Sequence, residues 1–506
     1  MSATGFTVVR GGRLLDAPAH KAAPVDILIE DDTIREIGAP GLAAPAGARA
    51  IDARDRLLIP GLVNAHTHGH LSLAKGMAQQ WTLELHLNAS PWTQANRRHE
   101  DKHLAAALLA VELVRKGCTT CYDLFFEFPG PSIDGLASIG QAYADVGVRA
   151  VIAPMLADRM FWRAIPGLFE ALPEDLRPGV EKIALGPYQA SLAVCREAAR
   201  TWRFNREQLR LALAPTIPLH CSDEFMTGCR DLAREFGLGL QTHLGESKIQ
   251  AVSGYRRYGK SLTAHLDALG LLGPDFTAAH AIWLDDDDLK RLGDRGASVA
   301  HNPASNMRLG AGLAAVRAMT GAGVNVGLGT DANSCSDNLN LFEGMKLASF
   351  VSRVRTPDYP AWLSAEEVFA MATVGSARAL GFGDAIGRIA PGAKADIVFL
   401  DLTGVNYRPL NDPTNQVVYC EDGTGIDSVM IGGRMVLDHG RITTIDEAKL
   451  HRDAEAAIER LRAANAENKV LVERLEPAIG RFCMALAREP FHVHRYASDE
   501  GMKHGH

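Results

Sequence analysis

The chain has 506 residues, 47% hydrophobic and 22% charged, with a formal net charge of -7. That length allows a large core and more than one domain, while so mild a charge gives no electrostatic case for nucleic acid or anionic membranes. No apolar stretch approaches the roughly 20 residues that span a bilayer, and the first residues, Met1-Ser2-Ala3-Thr4-Gly5, lack the basic and apolar regions of a secretory leader, so a soluble, cytoplasmic protein is expected.

The first sixty residues alternate short apolar runs with turn signals. Phe6-Thr7-Val8-Val9, Asp26-Ile27-Leu28-Ile29 and Thr33-Ile34-Arg35-Glu36-Ile37 read as strands, with Gly11-Gly12 and Asp31-Asp32 as turns. From about residue 61 the rhythm changes to short apolar runs separated by stretches of helical period. The runs begin at Leu62, Thr119, Val148, Leu209, Leu238, Phe276, Ala297 and Val324, and stretches such as 104–114 and 364–380 fit amphipathic helices. Eight such repeats predict a distorted (β/α)8 TIM barrel over 61–383. Within it Cys118 and Cys121 have C-x-x-C spacing but no second pair, and read as buried strand residues rather than a redox or zinc motif. After residue 384 short strands return at 395–400, 427–431 and 434–437, with Gly432-Gly433 as a hairpin turn. Residues 1–60 and 384–442 are expected to pair into one small β-sandwich domain built from both terminal segments. Residues 443–506 form a C-terminal helix and tail. The helical pattern runs from Asp446 to about Arg488, with a break or kink expected at Pro477. Its apolar stripe, including Ile458, Leu461, Val472, Leu475 and Ile479, suits either the barrel or a second subunit. His492, His494, His504 and His506 in the tail follow no pattern and read as solvated.

The residues ending the barrel runs carry the chemistry. The first run ends in His66-Thr67-His68, the fifth in His243 followed by Leu244-Gly245-Glu246, the sixth in His280, the seventh in His301 and the eighth in Asp331. Strand C-termini of a parallel barrel open on one face, so these residues converge. Residues i and i+2 of a strand share a face, so His66 and His68 aim together; His70 keeps that parity but falls in the following loop. A single strand-end histidine is ordinarily a structural hydrogen-bonder; four strands ending in histidine and one in aspartate point to one metal centre. Neutral imidazoles with one carboxylate suit Zn2+, and also Fe2+ or Mn2+. The run Asp285-Asp286-Asp287-Asp288 instead falls where a helix should begin and reads as its cap.

Pro60-Gly61-Leu62-Val63-Asn64-Ala65-His66-Thr67-His68 resembles the opening motif of the amidohydrolase superfamily. His243-Leu244-Gly245-Glu246, Ala279-His280, His301-Asn302-Pro303-Ala304-Ser305-Asn306 and Gly329-Thr330-Asp331 resemble the later motifs of its deaminase/chlorohydrolase branch, which includes deaminases of S-adenosylhomocysteine, guanine and cytosine-like rings and hydrolases of s-triazines. The resemblance spans roughly residues 5 to 440. It implies one divalent metal per chain held by His66, His68, His243 and Asp331, with bound water acidified toward hydroxide to attack the amino-bearing carbon. Asp331 would take a proton from that water, His280 would orient it, and Glu246 would protonate the ring nitrogen beside the attacked carbon. His301 would support the site or touch substrate. The fourth strand, Leu211-Ala212-Leu213-Ala214-Pro215-Thr216, offers no lysine to bridge two metals, which favours a mononuclear centre.

The expected activity is hydrolytic deamination of an aminated nitrogen heterocycle, a small-molecule substrate, with release of ammonia. The same attack serves an alkylamine, chloride, amide or urea leaving group. A non-catalytic barrel should have lost ligands that this chain keeps. Glu84, in Glu84-Leu85-His86-Leu87, matches the acid that contacts a sugar in nucleoside deaminases, but the tryptophan of their motif is missing and Thr216 follows Pro215 where they carry histidine. Both departures count against adenosine-type substrates. Trp81, Trp92, Phe125, Phe161 and Trp162, all expected in loops after the early strands, are candidates to stack on a flat ring. The resemblance also leans toward a homodimer or higher homo-oligomer.

Overall fold

The computed structural model describes residues 5–497. The N-terminal segment forms β1 (Phe6–Asp16), β2 (Lys21–Glu30), β3 (Thr33–Gly38), β4 (Arg49–Asp52) and β5 (Arg56–Pro60). There follow β6 (Leu62–Thr67), β7 (Cys118–Phe125), β8 (Arg149–Leu156), β9 (Leu209–Pro215), β10 (Gly239–Leu244), β11 (Phe276–His280), β12 (Ser298–His301) and β13 (Asn325–Leu328). The last strands are β14 (Ile397–Asp401), β15 (Ile426–Ile431), β16 (Arg434–Asp438) and β17 (Arg441–Ile442).

Strands β6 to β13 form one eight-stranded parallel sheet in sequence order. Helices cover its outside, so its strands are apolar on both faces; every residue of β6, β7, β11 and β12 is buried. The interior is filled by side chains such as Val63, Ala65, Tyr122, Val151, Ala212 and Ala300. The barrel closes where β6 meets the end of β13: the amides of Thr330 and Asp331 both donate to the His66 carbonyl, and Asn64 Nδ2 donates to Thr330 Oγ1 at 2.7 Å. The eight runs read from sequence each coincide with one of these strands.

The other strands make a second sheet of nine strands, curled about Val9, Ile27, Ile29, Leu58, Ile397 and Phe399. Strand β5 joins the two ends of the chain, pairing with β1 on one side and β14 on the other. Neither β4 nor β5 stands out from the sequence pattern. β4 is mostly exposed, and the Leu57-Leu58-Ile59 run of β5 leads straight into the barrel's first strand.

The C-terminal segment forms two helices, Glu447–Ala464 and Ala466–Ala487. The break between them falls at Asn465, while the second helix continues through Pro477 without a break there. Buried Asn465 donates to the Ala95 carbonyl and accepts from Asn96 Nδ2, so its side chain fixes the corner on the barrel rim. Leu475, Ile479 and Cys483 of the second helix pack on Phe161, Trp162 and Ile249 of the chain's own rim. In the tail, His492 is half-exposed and lies 2.9 Å from Asp285, while His504 and His506 fall outside the described residues. Asp285 caps the helix Asp286–Asp294, accepting from the Asp288 amide at 2.9 Å. No helix among the described residues is long and apolar enough to cross a membrane.

Candidate active site

His66 sits on β6, His68 one residue past its end, His243 on β10, His280 at the end of β11, and Asp331 just past β13. His66 Nδ1 lies 2.5 Å from Gln241 Oε1, His68 Nδ1 2.8 Å from the Leu124 carbonyl, and His243 Nδ1 2.6 Å from the Thr216 carbonyl. Gln241 Nε2 donates to the Ala65 carbonyl, so its oxygen is the atom that faces His66. All three partners are acceptors, so each Nδ1 carries the proton and each Nε2 presents a lone pair. Those lone pairs converge. His68 Nε2 and His243 Nε2 lie 3.1 Å apart, and Asp331 Oδ1 lies 3.2 Å from His68 Nε2 and 3.6 Å from His66 Nε2. Electron pairs this close in a buried site call for a cation between them. Candidate ligand atoms of His66, His68 and Asp331, and of His66, His243 and His280, lie within 4.8 Å of one another. His66 Nε2 has no hydrogen-bond partner, as expected of a metal ligand. His70 points elsewhere: its Nδ1 accepts from the Phe126 amide.

Two further groups flank this cluster. His280 Nδ1 lies 2.9 Å from Asn306 Oδ1, which turns its Nε2 toward Glu246 Oε1 at 3.7 Å and Asp331 Oδ2 at 3.8 Å. Burial lowers the His280 pKa to about 4, so the imidazole is neutral. Burial, followed by repulsion from Asp331 and Glu84, holds the Glu246 carboxyl well above the usual carboxylate range. A carboxylic acid kept protonated in this way can donate a proton at neutral pH. Ser305 Oγ donates to Asp331 Oδ2 at 2.5 Å and fixes the carboxylate. His280 and Asp331 both have left-handed backbone, φ +69° and +59°, a strained conformation that gathers at functional positions. Gly329 lets the chain pass under His66, since a Cβ there would lie 2.2 Å from Asn302 Oδ1.

A cavity of about 360 Å³ opens over His68, His243, Glu246 and Asp331. Its outer wall is largely apolar, with Leu87, Met155, Met160, Phe161 and Ile183, but also carries Arg159 and Lys182, and adds His86 and His220, whose pKa values burial lowers to about 4 and about 3. The other candidate substrate contacts lie outside this lining. Glu84 is buried and accepts from Ser247 Oγ at 2.7 Å. Trp81 and Trp92 stand edge to face, 6.1 Å apart, and Trp92 lines a separate cavity under the helix Glu447–Ala464. His301 is buried beneath, with neither ring nitrogen hydrogen-bonded. Of the aromatic candidates only Phe161 reaches the cavity, and Phe125 is the buried last residue of β7 rather than a loop residue. Gln241 and His220 do not stand out in the sequence, although Gln241 shares strand parity with His243, and Ser305, Asn306 and His86 stand inside the quoted motifs with no role of their own.

A model of the amidohydrolase family matches residues 57–436. The chain is 34% identical to the 5'-deoxyadenosine deaminase of Methanothermobacter thermautotrophicus over 456 residues, covering 89% of this chain and 97% of that protein. It is 32% identical to the 5-methylthioadenosine/S-adenosylhomocysteine deaminase of Syntrophobacter fumaroxidans, covering 85% and 92%. A solved adenosine deaminase from Xanthomonas campestris with bound zinc superposes with a TM-score of 0.80 at 26% identity, covering 90% of this chain and 98% of that one.

Proposed function

The chain belongs to the amidohydrolase family and is a metal-dependent hydrolytic deaminase; on that premise we propose that His66, His68, His243 and Asp331 hold one Zn2+, with Glu246 and His280 completing the catalytic set. The observation that carries this reading is the arrangement of three Nε2 lone pairs and one carboxylate around a common point, with the buried Glu246 carboxyl beside them at the cavity. Three imidazoles and a carboxylate are a zinc donor set, and the Xanthomonas campestris structure carries zinc. When bound, the metal supplies Lewis-acid activation of water.

The protein's own groups do the rest. The Asp331 carboxylate, held by Ser305, accepts a proton as water attacks the amino-bearing carbon. Neutral His280, held by Asn306, orients the attacking oxygen. Glu246 gives its proton to the adjacent ring nitrogen, which removes negative charge from the ring as the tetrahedral carbon forms. A proton then passes to the amine, and ammonia leaves.

We propose an adenine nucleoside altered at its 5' position as substrate. Support comes from the names of the two relatives and from the cavity over the cluster, whose outer wall combines apolar side chains with Arg159 and Lys182 and has room for a 5' substituent. A second reading is an aminated ring without sugar. It is favoured by Glu84, whose carboxylate is turned onto Ser247, and by Thr216 after Pro215. The test is ammonia release by zinc-loaded protein from 5'-deoxyadenosine, 5'-methylthioadenosine, adenosine, adenine, guanine and aminotriazines, with Asp331→Asn as blank. Turnover of the 5'-modified nucleosides first supports the proposal. Turnover of free rings alone would replace it with the second reading.

A further inference from the structure

The C-terminal tail returns to the catalytic face. Arg495 Nε donates to the Ile282 carbonyl at 2.8 Å and Nη2 to the Leu284 carbonyl at 2.5 Å. The Arg495 carbonyl accepts from the Leu313 amide. Tyr496 stands edge-on to Trp283 with ring centres 5.0 Å apart, and Trp283 Nε1 donates to the Ala311 carbonyl at 2.7 Å. One guanidinium therefore spans the turn directly after His280 and, through its own backbone, ties that turn to the segment near residue 313.

That turn is also the floor of the Glu246 corner. The Ala281 amide donates to the Leu244 carbonyl, and the amides of Ile282 and Trp283 both donate to the Gly245 carbonyl. Gly245 has φ +58°, and its Cα side packs against Leu284 and the Trp283 backbone, so the corner lies directly on the turn. The two residues that straddle the expected ring position, His280 and Glu246, thus share one backbone mount. Arg495 holds its outer side.

We propose that Arg495 is a positioning residue: the tail clamps the turn 281–285 and thereby sets the Glu246 carboxyl against His280. Arg495 touches neither metal ligands nor substrate. Its loss displaces the acid relative to the ring while leaving the ligand shell in place, and a displacement near 1 Å costs on the order of 100-fold in rate.

The test compares Arg495→Ala and Arg495→Lys in the full-length zinc enzyme, using whichever aminated ring the wild type turns over. For Arg495→Ala, kcat falls by about 10- to 100-fold while KM, zinc content and melting temperature hold. Amide hydrogen exchange rises in 281–285 and 244–247. Free guanidinium ion restores kcat in the alanine variant and not in the wild type. A lysine reaches only one of the two carbonyls, so Arg495→Lys gives an intermediate kcat, and it carries the test alone if the alanine variant does not fold. Wild-type kcat and exchange in a folded variant, or a fall in kcat matched by equal loss of zinc, would overturn the proposal. The clamp rests on the catalytic roles given to Glu246 and His280. A wild type silent on every ring would sink those roles, whereas the exchange measurement needs no substrate and decides the clamp separately.

Discussion

Gln241 is buried on β10, two residues before His243, with its oxygen 2.5 Å from His66 Nδ1. Replacing it by leucine keeps the volume and removes the acceptor. His66 Nδ1–H then has no partner in a fully buried site, which costs about 1–3 kcal/mol. Loss of such a partner to a metal-binding histidine separately lowers metal affinity about 10- to 100-fold, or about 1.4–2.7 kcal/mol. The Ala65 carbonyl also loses its donor, Gln241 Nε2, so some general destabilisation accompanies the effect. Zinc competition against a chromophoric chelator reads the affinity, and melting of the metal-free protein reads the fold. Gln241→Glu keeps the acceptor and should recover affinity. Wild-type zinc affinity in a folded Gln241→Leu protein would refute the argument that Nδ1 contacts fix the ligand tautomers.

Three further outcomes follow from the site. Glu246→Gln should retain zinc and lower kcat by about 10²–10⁴-fold, the contribution typical of a general acid; retained activity, or lost metal, would remove Glu246 from its role. Chelation should abolish activity and lower the melting temperature, with a stability loss near 4 kcal/mol if free zinc had stood at about 1,000 times its dissociation constant; zinc re-addition should reverse both. Burial raises Asp123, bonded to the Gly69 amide and the Tyr143 hydroxyl, to a pKa of about 6 from an ordinary 3.8. The folded state then binds more protons than the unfolded one between those values. Stability falls as pH rises through that window, by at most about 3 kcal/mol. Asp123→Asn should flatten this slope in denaturant titrations at pH 4 to 7, and an unchanged slope would assign it to another group.

The barrel and the convergence of His66, His68, His243, His280 and Asp331 were legible because strand ends carry their own marks: a short apolar run, then a polar ligand-type residue. The Asp285 cap was legible for the same local reason. Other features depend on partners far along the chain. β5 is a strand only because β1 and β14 flank it. The break at Asn465 comes from its bonds to the rim at Ala95 and Asn96, which no helical pattern announces. Loop side chains follow no period, so nothing in Trp81, Trp92 or Glu84 tells whether they face the cavity or, as found, each other and Ser247. Gln241 reads as one more buried strand residue until the His66 ring is seen against it.

The barrel's closing seam has a consequence for how the protein is made. His66 accepts the amides of Thr330 and Asp331 through its backbone while offering its ring to the same cluster as the Asp331 carboxylate. The first and last of the proposed ligands, His66 and Asp331, are 265 residues apart and meet only when the eighth strand docks on the first. A ribosome must therefore release most of the barrel before the full set of four donors exists. On the proposed ligand set, tight metal capture would then report a finished barrel, and a partly emerged chain would hold the ion only weakly.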